Sequence, residues 1–259
     1  MFTKYIGIDY SGRGGCNTRT SAIQVYQASD AGKVSAVRSP ASNATRKRNW
    51  CREEVAHWLR DELQKGDPII VGIDHGFSLP TSYMQRFGLT SWPEFLHDFC
   101  QHWPTDARGI SVDDIRERLA NQEGRIGNPN EYRLAERWTS SAKSVFQFDI
   151  QGSVAKSTHA GIPWIQMLRK ETGDQLHCWP FDGWAIPDDR SVIAEVFPSI
   201  FRQRYPRENR SADAQDAYCV ARWLAEADQY HQLQHFFEPF LTADQRKLAN
   251  IEGWILGIM

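Results

Sequence analysis

Two short apolar runs, Lys4 to Asp9 (KYIGID) and Pro68 to Asp74 (PIIVGID), each terminate in an aspartate. A run that is apolar at consecutive positions predicts a central strand covered on both faces. An ionised carboxylate beside such a run costs free energy unless something partners it. A third run of this kind, Val192 to Phe197 (VIAEVF), contains Glu195. Any fold for this chain has to place three strand-borne acids where their charge is compensated. A divalent ion is one partner, because Mg²⁺ takes hard oxygen ligands and keeps part of its water shell. The plainer alternative is that each acid sits at a solvent-exposed strand end.

Between these runs the pattern alternates between strand and helix. Ser21 to Gln27 alternates apolar and polar residues, which suits a strand in a hairpin with the first run. Lys33 to Val37 predicts a third, shorter strand. Val55, Trp58, Leu59 and Leu63 recur at helical spacing within Arg52 to Leu63. Residues from about 80 to 155 form a helical insertion, with helix starts at Ser91 and Ser111 and polar sequence between. Strands return at Leu176 to Trp179 and at Val192 to Phe197, and two helices follow, Ser211 to Ala227 and Thr242 to about Ile255. The second of these opens on a T-A-D-Q capping box. This order predicts an α/β fold with an antiparallel start, a single domain over 1–259 carrying the insertion.

Composition narrows the partners. Lys and Arg number 30 against 32 Asp and Glu, a net charge of −2, which excludes a histone-like binder acting by bulk charge. A nucleic-acid site here has to be a local patch. The five cysteines are odd in number and never spaced C-x-x-C, against a disulfide framework or structural zinc. No run of about 18 apolar residues predicts a membrane span. The N-terminus lacks signal-peptide character, so a cytoplasmic location is expected.

The segment SADAQDAYCVARWLAEA carries a fourth acidic element. Asp213 and Asp216 are three residues apart and share one helix face. At about 100° per residue that face continues through Ala217, Val220, Leu224 and Ala227, with Arg222 and Glu226 opposite. Acids in a first turn complement the helix dipole after a Ser211 cap. That accounts for their position along the helix and leaves their inward-facing stripe unexplained.

Taken in order, YIGIDYSG, IIVGIDHG, IAEVFP and ADAQDA resemble the ribonuclease H-like superfamily. The last is similar to the closing D-x-x-D helix of RuvC-type Holliday junction resolvases. The set, with QGSVAKSTHAGIPWI, is closer to a family of uncharacterised predicted RNase H-like nucleases. Asp74 stands where the resolvase pattern has a glutamate. The resemblance implies a ribonuclease H-like mixed sheet flanked by helices and hydrolysis of a DNA or RNA phosphodiester. It also implies two Mg²⁺ or Mn²⁺ ions about 4 Å apart on carboxylates. Carried onto this chain, Asp9 bridges both ions, Asp74 and Glu195 hold one each or a bound water, and Asp213 and Asp216 complete the second position. Two other classes stay open: an actin-like or sugar-kinase-like ATP-binding phosphotransferase, and a non-catalytic interaction module that keeps the fold.

Several basic and glycine-rich features have two readings. Ser11 to Gly15 (SGRGG) is either a phosphate cradle or a hairpin turn, the turn being favoured. Arg202, Arg204, Arg207 and Arg210 either contact a phosphate backbone or line a solvated loop. Arg46, Lys47 and Arg48 belong to the same class. Lys156 and His159, in the K-S-T-H segment, are candidates for the scissile phosphate. His231 and His235 are four apart without the glutamate of H-E-x-x-H and are expected at the surface.

Overall fold

The apolar runs become strands of one mixed sheet in the computed structural model, which describes residues 2–29, 33–42, 49–122, 125–139 and 141–259. The hairpin β1 (Lys4–Asp9) and β2 (Gln24–Ser29) is antiparallel and extends to β3 (Val34–Ala36). Helix α1 (Arg52–Leu63) then leads into β4 (Ile69–Ile73), which pairs parallel to β1. The insertion holds α2 (Thr81–Arg86), α3 (Trp92–His102), α4 (Val112–Leu119) and α5 (Leu134–Trp138). Helix α6 (Ala155–Thr172) connects it to β5 (Leu176–Cys178), followed by β6 (Ser191–Val196). The chain closes with α7 (Ala212–Gln229), α8 (Leu233–Phe237), α9 (Ala243–Glu252) and β7 (Ile255–Leu256). Among the described residues the sheet order is β3-β2-β1-β4-β6-β5, with β7 also on β6. None of the described helices is long and apolar enough to cross a membrane.

Both faces of the central strands are covered, as their continuous hydrophobicity requires. Ile6, Ile8, Val71, Ile73 and Ile193 face a core built with α1, α3 and α6. Tyr5, Ile70, Val192, Ala194 and Val196 face a second core under α7. On that second face β1 and β4 present glycines. A Cβ on Gly7 would lie 2.2 Å from the Ala217 carbonyl oxygen, and one on Gly72 would lie 2.7 Å from a Val220 methyl. Helix α7 therefore rests on bare strand backbone at this point.

One segment was not assigned from the sequence and another departs from its reading. Helix α6 runs through Gly161 and Pro163, residue types that ordinarily break helices. Proline at 163 removes the amide that would bond the His159 carbonyl four residues back. The Thr105 hydroxyl donates to that carbonyl at 2.7 Å instead. Gly161 is small because His75 packs there; a Cβ would meet its Nε2 at 2.3 Å. At the C-terminus, the helix expected to reach about Ile255 stops at Glu252. Gly253 turns the chain at φ +83°, and Ile255 joins the edge of β6 beside Glu195.

Candidate acid site at the carboxyl ends of the central strands

Strand register decides which acids meet. Ile8 is level with Ile73 in the parallel β1–β4 pair, and the Asp74 amide donates to the Ile8 carbonyl at 3.0 Å. Asp9 and Asp74 thus end adjacent strands side by side. Side chains alternate along a strand, so Asp9 shares the face of Gly7 and Asp74 that of Gly72, under α7. Burial and the neighbouring charge hold both carboxyls above the ordinary carboxylate range.

Helix α7 brings its acids to the same place. Ser211 caps it by accepting from the Ala214 amide at 3.1 Å. Asp216 is buried in the second turn, and half-buried Asp213 makes no ion pair among the described residues. Burial pushes Asp9 well above the ordinary carboxylate range, with repulsion from Asp74, Asp216 and Asp213 adding to it. Asp74 is raised by burial and by Asp216 and Glu195. Arg202, in the turn after β6, opposes both shifts. Its Nε donates to Asp216 Oδ1 at 2.6 Å, and its Nη2 pairs with the other oxygen.

Glu195 departs from the expectation that it shares this carboxylate group. It is level with Ile73, one residue short of Asp74, and so points to the opposite face. There Arg133 donates to both of its oxygens, at 2.7 and 2.6 Å. Fully buried Arg133 also donates from Nε to Glu136 at 2.9 Å and from Nη1 to the Glu252 carbonyl at 3.2 Å. The Glu252 carboxylate in turn accepts from the amides of Leu134 at 2.7 Å and Thr81 at 2.6 Å. This network ties the insertion to the sheet end. Asp74, Arg133, Glu136, Lys143 and Glu195 line one small pocket, which puts the insertion beside the acids. Of these residues only Asp74 and Glu195 were singled out by the sequence, where Arg133 and Glu136 look like an ordinary helical i, i+3 pair.

The remaining candidates fall into two groups. Lys156 pairs with Asp113 at 2.7 Å beside the loop that follows Asp9, and Arg204 is exposed. Arg207 bonds within its own loop, to the Arg210 carbonyl, and Arg210 donates to the Gln215 side chain on α7. His159 is wholly buried among Phe99, Trp103, Phe146 and Phe148. Burial pulls it down to about 3, so it is a neutral core residue rather than a phosphate ligand. His231 and His235 are exposed. The SGRGG loop is a turn whose carbonyls at Ser11, Arg13 and Gly14 all accept from buried Arg52, at 3.1, 3.1 and 2.7 Å. Its Gly12 lies against α6, where a Cβ would meet the Lys156 carbonyl at 2.1 Å. Arg46, Lys47 and Arg48 lie outside the described residues.

The donor chemistry of Asp9, Asp74, Asp213 and Asp216 suits a hard divalent ion, because all are oxygen ligands and Asp9 and Asp74 make no ion pair among the described residues. As arranged, no group of three or more His, Cys, Asp or Glu among the described residues could hold one. Glu195 is taken by Arg133, and Asp216 by Arg202. Comparison of the chain with protein-family models, curated proteins and solved structures gave no match.

Proposed function

We propose that this chain is a divalent-metal-dependent nuclease that hydrolyses a DNA or RNA phosphodiester. The observation that carries the reading is the Asp9–Asp74 pair, buried at Asp9 and half-buried at Asp74 and making no ion pair among the described residues, with Asp213 and Asp216 on the neighbouring α7. Buried acids kept in mutual repulsion are a stability cost that a purely structural role does not require. The sheet supports the same reading: an antiparallel β1–β2–β3 start continued by parallel β4 and β6 is compatible with a ribonuclease H-like fold.

In this reading Asp9, Asp74, Asp213 and Asp216 would hold Mg²⁺ or Mn²⁺. When bound, such ions lower the pKa of an attacking water and stabilise the leaving oxygen of an in-line displacement. The chain's own part is positional. Strands β1 and β4 fix Asp9 and Asp74 beside each other through the ladder bond to Ile8, and α7 sets the distance to the other two. Glu195 is reassigned: with Arg133 it holds the insertion in place and stays out of the donor set.

The test is a panel of single-stranded, duplex and branched DNA and RNA with Mg²⁺ or Mn²⁺, run on wild type and Asp9→Asn. Cleavage by wild type that falls by about a hundredfold or more in the variant supports the reading. Wild type that neither cleaves any substrate nor gains thermal stability from Mn²⁺ sinks it.

A further inference from the structure

We propose that the open cleft beside the loop after Asp9 is a subsite for a backbone phosphate of a DNA or RNA strand, held by Arg13 and Lys156. The inference rests on the nuclease reading and adds to it how the strand is held next to the bond to be cut.

The cleft has a volume of about 240 Å³, and Tyr10, Ser11, Arg13, Asp113, Ser153 and Lys156 are among its lining residues. Its position follows from chain connectivity. Ser11 is two residues from Asp9, and two residues span at most about 7 Å. A strand with one phosphate at the acid pair has a neighbouring phosphate within reach of this cleft. A cleft lined by Lys4 and Lys33, by contrast, opens at the other end of β1, away from Asp9.

Three observations fit the cleft to an anion. First, Arg13 is exposed and makes no ion pair among the described residues, so its charge is uncommitted. Second, Lys156 pairs with Asp113 at 2.7 Å, but the two side chains are 36% and 58% exposed, and Asp113 is shared with Arg116. An exposed pair of this kind yields to a phosphate at little cost. Third, the loop turns acceptors away from the cleft. The carbonyls of Ser11, Arg13 and Gly14 accept from the guanidinium of wholly buried Arg52 and are spent on the interior. The Ser11 and Ser153 hydroxyls accept from the amides of Arg13 at 3.3 Å and Ala155 at 3.1 Å, which leaves their protons to donate.

The walls of the cleft are held together at Gly12, where a Cβ would lie 2.1 Å from the Lys156 carbonyl oxygen. Arg13 on the loop and Lys156 in the first turn of α6 are thus carried on walls of fixed spacing. A guanidinium and an ammonium so placed can each take an oxygen of one phosphate. They position the strand without reading its sequence.

The test is binding of the same panel of DNA and RNA, followed by fluorescence anisotropy in EDTA and in Ca²⁺ over a range of salt concentrations. It compares wild type with Arg13→Ala, Lys156→Ala, Lys156→Gln and Lys247→Ala. Lys247 is exposed on α9, is paired with an acid as Lys156 is, and lies outside the cleft, so it controls for bulk charge. Each cleft variant should bind about tenfold more weakly whatever the base sequence, the loss of one charge-assisted hydrogen bond. The slope of log affinity against log salt should shrink by about 1. Lys247→Ala should change affinity by about twofold or less, as a screened surface charge does. Lys156→Gln removes the charge and keeps most of the stem, so the comparison survives if the alanine variant disturbs α6. Cleft variants that bind as Lys247→Ala does would overturn the subsite and leave the nuclease reading standing. Wild type that binds no member of the panel also overturns the subsite, and if it cleaves none the nuclease reading falls separately.

Discussion

Glu195 and Asp74 end adjacent parallel strands one residue apart in register, and their surroundings are opposite. Glu195 faces a wholly buried arginine that satisfies both oxygens and is itself bonded to Glu136 and the Glu252 carbonyl. Asp74 faces another acid. One charge is neutralised where it is buried, as structural ion pairs are. The other is raised above the ordinary carboxylate range by burial and neighbouring acids, opposed by a half-exposed arginine. The contrast teaches that burial alone does not mark a site acid; what marks it is the lack of a committed partner.

The contrast is most easily broken at Arg133. Replacing it with Met leaves Glu195 and Glu136 buried and unpaired, and should cost about 3–5 kcal/mol of unfolding free energy in denaturant titrations. A loss below about 1 kcal/mol would mean that the pair is not a lock, since surface pairs give that much. Next in size is Gly7→Ala, which forces a methyl against the α7 backbone. It should cost about 1–3 kcal/mol, the usual penalty for overpacking, and weaken Mn²⁺ binding by displacing Asp213 and Asp216. An unchanged melt would show that α7 yields without cost.

On the other face, Asp9→Asn should keep or raise stability in metal-free buffer, by up to about 1 kcal/mol, because it removes a repelling acid. A markedly lower melting temperature would make Asp9 structural. The smallest effect is in the pH dependence. Folded-state values for Asp9 and Asp74 are raised above those of the unfolded chain, so the native state binds more protons just above the carboxylate range. Their contribution is present at acid pH and is lost as pH rises. Buried His75 and His159 are pulled down, to about 4 and 3, and give the opposite slope as pH falls below the ordinary histidine value. Comparing wild type with Asp9→Asn cancels the histidines. The stability difference between them should widen in the variant's favour from pH 5 to pH 8. Mn²⁺ should remove that trend, and a flat difference without metal would mean that Asp9 is not raised in the folded protein.

Much of this arrangement was readable from residue order. Asp9 and Asp74 close runs too apolar to be anything but central strands, and of the two acids on the stripe from Asp213 to Ala227, Asp216 is buried and Asp213 half-buried. Glu195 was not readable in the same way. Whether it meets Asp74 depends on pairing with Ile73 rather than with Asp74, and register is a property of two strands, invisible in either alone. Helix α6 was hidden because Gly161 and Pro163 have local preferences that Thr105 and His75 override from far along the chain. Arg133 carries no periodic signal at all; its importance comes from the carboxylates that tertiary structure places around it.

At Gly7 helix and sheet meet main chain to main chain, whereas at Gly72 the Val220 side chain seats on bare strand. Side-chain packing gives way when cores are redesigned, whereas backbone thickness is the same in every sequence. The Gly7 contact therefore sets the separation between the strand aspartates and the α7 aspartates in a way that most mutations elsewhere in the core leave untouched. A designer could repack the hydrophobic residues above α3 or around α8 freely and still inherit that distance, provided these two positions stay without a side chain.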